Sequence, residues 1–523
     1  MLAKVWRGAL IAGGLLIAAS ATTALLASGS AAVAGGSRVA HAAARARCAT
    51  GSPIASSGVP VRVPGTPQRK WSAAVSLVPA GTATGSLGLA ATAAGSVLAG
   101  WVQGPPPMVS ASGPGRSSPQ QFKATTAAPT QEVMVAEGTV LGGFRGSDEL
   151  AAGPSGSLVN LYVTVAAPDV GYVVWQGPST SLRLGVLCGG RVAVLNRRLV
   201  TDAVPLALFP LSGGRGAVVF DKYGHGTPFL EYGLLSPAGR IGKLARIAHP
   251  GSHDTAATEL SVDSRGDLIA AWVHDDGASP PGTAPGSPGF VPAKLVVALC
   301  RPALHCGSPE TIPLGTTEPA CINPAVAISP QGTATVIAAA ADWGIGCDAP
   351  LGVRASVTPA GARYLEPMRE IQTEGDWPIA EPVGRAGTAM VFNSGLAASD
   401  SFSSSFMTAT SVAHFHTSLL DRGGFWNTGQ QLLAPANNGW YVITWSHANR
   451  RANPNLSLRA VVGHDGRLQR ASVAGGATRQ ISAYLGATDG RGNAMILFNG
   501  STDTGNGAAW PYTSGLYITV RRG

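Results

Sequence analysis

The feature that most constrains this chain is a short phrase that returns eight times along it. In each copy an apolar run enters a polar turn containing glycine, and a second apolar run follows, most often ending in an aromatic. The phrase is plainest at 263–272 (DSRGDLIAAW) and returns at 93–101, 167–175, 212–220, 329–338, 384–392, 437–445 and 489–498. Its aligned glycines are Gly95, Gly171, Gly216, Gly266, Gly332, Gly387, Gly439 and Gly492, spaced by 76, 45, 50, 66, 55, 52 and 53 residues. A glycine turn between two apolar runs reads as a hairpin, because glycine adopts the backbone conformations a tight reversal needs. A repeat of roughly 45 to 55 residues holding several short strands cannot bury its own faces and must stack on copies of itself. The spacing therefore predicts an all-β fold, a single β-propeller of eight four-stranded blades. Seven blades is the alternative, since the first unit is long and the second has a weak turn.

Seven units hold four strand candidates each, as at 203–211, 215–221, 228–236 and 240–247; the last holds three, at 479–488, 492–499 and 514–521. Residues 70–78 (KWSAAVSLV) read as a strand without a local partner. Used as the outer strand of the last blade, they would close the ring and remove an open sheet edge.

Domain boundaries follow from composition. Residues 1–42 begin with Lys4 and Arg7 before an uncharged stretch rich in Leu, Ile and Ala, and end in small residues, the pattern of a signal peptide. An uncleaved membrane anchor is the alternative. Residues 43–67 mix Ala, Ser, Gly and Pro without period and read as a linker, leaving 68–523 for the propeller. The expected location is secreted or extracellular, with attachment to the cell surface as the variant; contact with membrane is expected only if the leader is uncleaved. In an exported chain six cysteines imply disulfides. Blade topology pairs Cys300 with Cys306 and Cys321 with Cys347, leaving Cys48 and Cys188 either joined or as two free thiols. The net charge of +9 is scattered rather than gathered into a stripe, so no nucleic-acid partner is expected.

Strand direction alternates within a blade, so A-to-B and C-to-D turns share one end of the ring, and B-to-C and D-to-A loops share the other. The A-to-B turns are tight and the B-to-C connections long, which marks the second end as the face for ligands. Trp343, Trp377, Trp426, Trp510 and Tyr512 fall there, outside the repeated core position. Tyr223, Asp276, Asp342, Asp376 and Arg450 accompany them. Indoles beside carboxylates and arginine suit a sugar, whose ring faces stack and whose hydroxyls need polar partners. The repeated aromatics, by contrast, are assigned to packing between blades.

No nucleophile motif, phosphate loop or zinc helix is present. His249, His253 and Asp254, or His414 with His416, lack a third ligand at defined spacing, so neither metal nor cofactor is expected. Arg265, Gly266 and Asp267 spell an integrin-binding tripeptide but occupy a turn entering a strand.

The eight phrases resemble those of secreted bacterial β-propeller repeat proteins, particularly actinobacterial ones. A more distant resemblance is to sialidase-like propellers, on Ser261, Asp263 and Gly266; one residue more than in that family's turn precedes the glycine, and its Thr-Trp is missing. The resemblance implies the fold and not an activity. The expectation is thus an exported, non-catalytic propeller that binds a glycan or a cell-surface protein through its loop-rich face. The alternatives are a glycan-active hydrolase or lyase and a structural cell-envelope protein.

Overall fold

The computed structural model describes most of residues 60–523; its longest undescribed stretches within that range are 105–129, 275–293 and 502–513, and residues 1–59 lie outside it. The expected leader and most of the expected linker therefore fall outside the described residues. Strands in the described part form eight sheets, each a run of antiparallel neighbours. The innermost strands are Thr84–Ala91, Val159–Ala167, Ala203–Leu211, Glu259–Val262, Ile322–Ile328, Asp376–Val383, Gln430–Leu433 and Gln480–Thr488. We number the blades 1 to 8 in that order. Each inner strand touches the inner strand of the next blade, and that of blade 8 touches that of blade 1. The described residues form an eight-bladed β-propeller with its inner strands around a common axis.

Hydrophobic burial explains why the second strand of each unit reads as an unbroken apolar run rather than an alternation. In Leu268–His274 every residue but the last is buried, because both faces of a blade press on neighbours. Eight apolar clusters result, one at each junction between blades. The repeated aromatics Trp101, Trp175, Phe220, Trp272, Trp445 and Phe498 are all buried within them, so they are core, as expected.

The turn glycine is required by conformation at Gly266, whose φ is +102°, and at Gly492, whose φ is +78°. Beside each, an aspartate organises the turn. Asp263 accepts backbone N–H bonds from Arg265 (2.8 Å), Gly266 (3.0 Å) and Asp267 (3.0 Å) through one carboxylate oxygen. Asp489 does the same for Arg491 (2.8 Å) and Asn493 (3.0 Å). Backbone donors that the reversal leaves without strand partners are thereby satisfied. The sialidase-like Asp263 turn is thus an architectural device here.

Ring closure is as expected. Blade 8 takes its outer strand from the N-terminal side: Val75 and Ser76 pair antiparallel with Ile518 and Tyr517, and Trp71 bridges Arg521. The paired segment is shorter than 70–78. Buried Ser72 strengthens it, its Oγ accepting from Val520 N (3.1 Å) and its carbonyl accepting from Thr519 Oγ1 (2.8 Å). On the inner side, Asn499 of blade 8 and Thr84 of blade 1 exchange hydrogen bonds at 2.8 and 3.3 Å.

Cys300 and Cys306 form a disulfide, as their spacing implied. The small loop it closes carries Arg301, whose guanidinium donates to the carbonyls of Gly332, Pro359 (3.2 Å) and Ala362 (3.4 Å) in blade 5. The bridge thus anchors a brace from blade 4 to blade 5. Cys48, Cys321 and Cys347 lie outside the described residues. Cys188 ends the strand Ser181–Cys188, and its side chain is not described.

Candidate functional site

Much of the face marked by the sequence lies outside the described residues: Trp343, Trp426, Trp510, Tyr512, Asp276, Asp342 and Arg450 are all there. Asp376 and Trp377 are placed, as the first two residues of the inner strand Asp376–Val383 rather than in the preceding loop, with Asp376 opposite Asn393. Their side chains are not described. Tyr223, near the end of the second strand of blade 3, is 40% exposed, and its backbone N–H bonds Asp202 O at 2.7 Å. That fixes a solvent-facing aromatic at the B-to-C end. Its neighbour Asp221 is 1% exposed and turned into the protein.

The axis of the ring supplies the carboxylates that sequence reasoning missed. Only two of the eight inner strands carry acidic residues: Glu259 opens Glu259–Val262, and Glu381 follows Asp376 in Asp376–Val383. Glu259 belongs to blade 4 and Glu381 to blade 6. Blade 5 stands between them, yet the two carboxyls are within electrostatic reach of each other. Both belong to inner strands, which stand around the axis of the ring. Glu259 keeps solvent exposure, yet the protein around it removes enough water to push its pKa up to about 7. Glu381 is part-buried; burial, and secondarily the charge of Glu259, push it up to about 8. The repulsion falls on Glu381 because it keeps its proton to the higher pH, whereas Glu259 ionises beside a neutral partner.

Near neutral pH the pair therefore holds a carboxylic acid, which donates and accepts, beside a carboxyl that is about half ionised. Such a pair complements a hydroxyl group, which also donates and accepts. It is also the charge state from which a proton can be passed and recovered. Between blades 5 and 6, Thr335 and Thr388 bond each other at 2.8 Å.

At the opposite end of the ring the tripeptide Arg265-Gly266-Asp267 is folded onto itself. Arg265 pairs with Asp263 at 2.8 Å and with Asp267 at 3.1 Å. Burial raises the Asp267 pKa, with Asp263 adding to it and Arg265 and Arg301 opposing. The charges a receptor would read are engaged within the turn.

No sequence-family model matches the chain, and no curated protein matches it. Among solved structures it is similar to a polysaccharide lyase, Uly1, at 8% identity over 74% of this chain and 91% of that one, with a TM-score of 0.44. It is similar to the NanB sialidase of Streptococcus pneumoniae at 10% identity over 90% and 99%, with a TM-score of 0.35. The β-propeller domain of the Trilobed protease from Pyrococcus furiosus matches at 7% identity over 74% and 97%, with a TM-score of 0.37. These are distant likenesses, and nothing about substrate or chemistry follows from them.

Proposed function

We propose that this chain is an exported propeller that binds a glycan, without turning it over, at the end of the ring where the B-to-C and D-to-A connections surround the axis. The observation that carries the reading is the pair Glu259 and Glu381, two carboxyls on inner strands of the ring, within electrostatic reach of each other and raised to about 7 and about 8. A neutral acid beside a half-ionised one offers a sugar both hydrogen-bond roles with less of the desolvation cost of two full charges. Tyr223, at the B-to-C end, adds an exposed aromatic face, and Trp343, Trp377, Trp426 and Trp510 are proposed as further stacking partners. A cell-surface protein presenting hydroxyl-rich or amide-rich loops is the other partner this chemistry fits.

The second reading, a glycan-active hydrolase or lyase, is favoured by the same pair, since two carboxyls that titrate near neutrality are equipped for acid and base roles. Binding and turnover are separated by one experiment. The chain is applied to an array of bacterial and environmental glycans while product is followed in the same wells, with Glu259→Gln and Glu381→Gln alongside. Saturable binding without product, weakened roughly tenfold in either variant, supports the binding reading. Product that disappears in the variants while binding persists supports the enzyme. Binding that neither variant alters would remove the pair from the account.

A further inference from the structure

A separate site lies at the seam where the ring closes. Arg521, the last residue of the strand Ser514–Arg521, is 3% exposed. Its backbone is held on both sides, by Ala494 in the neighbouring strand and by a bridge to Trp71. One terminal nitrogen, Nη2, donates to Gln469 Oε1 of blade 7. The other two guanidinium nitrogens, Nε and Nη1, are buried and have no hydrogen-bond partner among the described residues. The charge acting on this group is that of another cation, Arg69, and among the described residues no carboxylate offsets it. A buried guanidinium with two idle donors beside a like charge is costly unless something negative completes it.

Arg521 lines a cavity of about 610 Å³ together with Arg69, Gln469, Arg470, Ala471 and Ser472. Three arginines, one amide and one hydroxyl therefore surround one space, and none of the residues around it is acidic. Guanidinium groups bind oxyanions through paired N–H donors, and Arg69 and Arg470 are exposed enough to swing onto a ligand. The three come from different parts of the ring: Arg69 from the N-terminal segment, Arg470 from blade 7 and Arg521 from blade 8. We propose that this cavity is an oxyanion site for a phosphate- or sulfate-bearing small molecule, and that occupancy clasps the N-terminal segment to blades 7 and 8. The volume exceeds that of a bare ion, which leaves room for an organic body such as a hexose.

The test uses the full chain, titrated with inorganic phosphate, inorganic sulfate, a hexose phosphate and a hexose sulfate at one ionic strength held with sodium chloride. Calorimetric titration should give one site per chain. At a hundredfold excess over Kd the melting temperature should rise by roughly 3 °C, as expected when a ligand binds only the folded state of a chain this size. Arg69→Ala and Arg470→Ala alter exposed side chains, so both should melt with the native protein in chloride and lose at least tenfold in affinity. The inorganic and hexose arms tell a site for a bare ion from one that reads an organic body. Equal melting temperatures in all five salts, or a ligand response kept intact in both variants, would overturn the proposal.

Discussion

Replacing Glu381 by glutamine isolates what burial does to a carboxyl. The native group is favoured in its neutral form, with a pKa near 8 against an ordinary 4.5. Below pH 4.5 the folded and unfolded chains both hold the proton, and this source of stability is fully present. As pH rises from there, the unfolded chain ionises while the folded one keeps its proton, so stability falls; near pH 8 the folded group ionises and the loss is complete. A difference of about 3.5 pH units at about 1.4 kcal/mol each sets an upper bound of about 5 kcal/mol. Because the carboxyl is only part-buried, solvent screening reduces this to about 2 kcal/mol. At roughly 2.1 cal/mol/K of unfolding entropy per residue, the ring has about 1 kcal/mol/K, and 2 kcal/mol corresponds to about 2 °C. Glutamine keeps the shape and removes the titration. Between pH 5 and pH 9 the melting temperature of Glu381→Gln should fall by about 2 °C less than that of the native protein, measured by calorimetry in matched buffers. Parallel pH profiles would refute the burial of Glu381 beside the Glu259 charge.

Three further outcomes follow from the geometry. Glu259→Gln removes the charge beside Glu381 and so lowers its folded-state pKa; the pH-dependent loss of stability belonging to Glu381 should be smaller and complete at a lower pH, visible in the same calorimetric profile. Gly492→Ala forces a side chain onto a positive φ and brings its Cβ to 2.6 Å from the Trp440 ring; a loss of about 2 kcal/mol or more is expected in denaturant unfolding, and a neutral result would show that the turn relaxes. A Cys300→Ser, Cys306→Ser double variant opens a loop with a sequence separation of 6 and should lose about 2 kcal/mol, with the native protein converging on it in reductant.

The architecture was legible because one physical requirement repeats. Gly266 and Gly492 mark turns that only glycine enters easily, and Trp272 and Phe498 mark the strand that both neighbours bury. Even the outer strand of blade 8 was visible, as a strand at the N-terminal end and a strand missing at the other. The glutamate pair was not. In TELSV and IAEPV each glutamate looks like an ordinary polar residue of a half-buried strand, and only closing the ring brings blades 4 and 6 within electrostatic reach. A readable signal existed: inner strands otherwise free of charge hold Glu259, Asp376 and Glu381. Arg521 was hidden for the same reason. Next to Arg522 and Gly523 it reads as a solvated tail, and it is buried because Trp71 and Gln469 come from 450 and 52 residues away. Local pattern carries the blade, whereas both candidate sites depend on contacts made between blades.

The closing strand also sets an order of events. Val75 meets Ile518 across almost the whole chain, while the other described strands pair with strands of their own blade, nearby in sequence. Hairpins of that local kind form quickly, and pairings between distant segments come late. Blades 1 to 7 can assemble as an open arc whose unmatched faces await blade 8. The seam is the final stitch. Until it is made, the arc exposes two apolar flanks of complementary shape, and a second arc can offer them the same surfaces. Assembly at low concentration should therefore favour closed monomers, and crowding the open arcs should favour chains joined end to end.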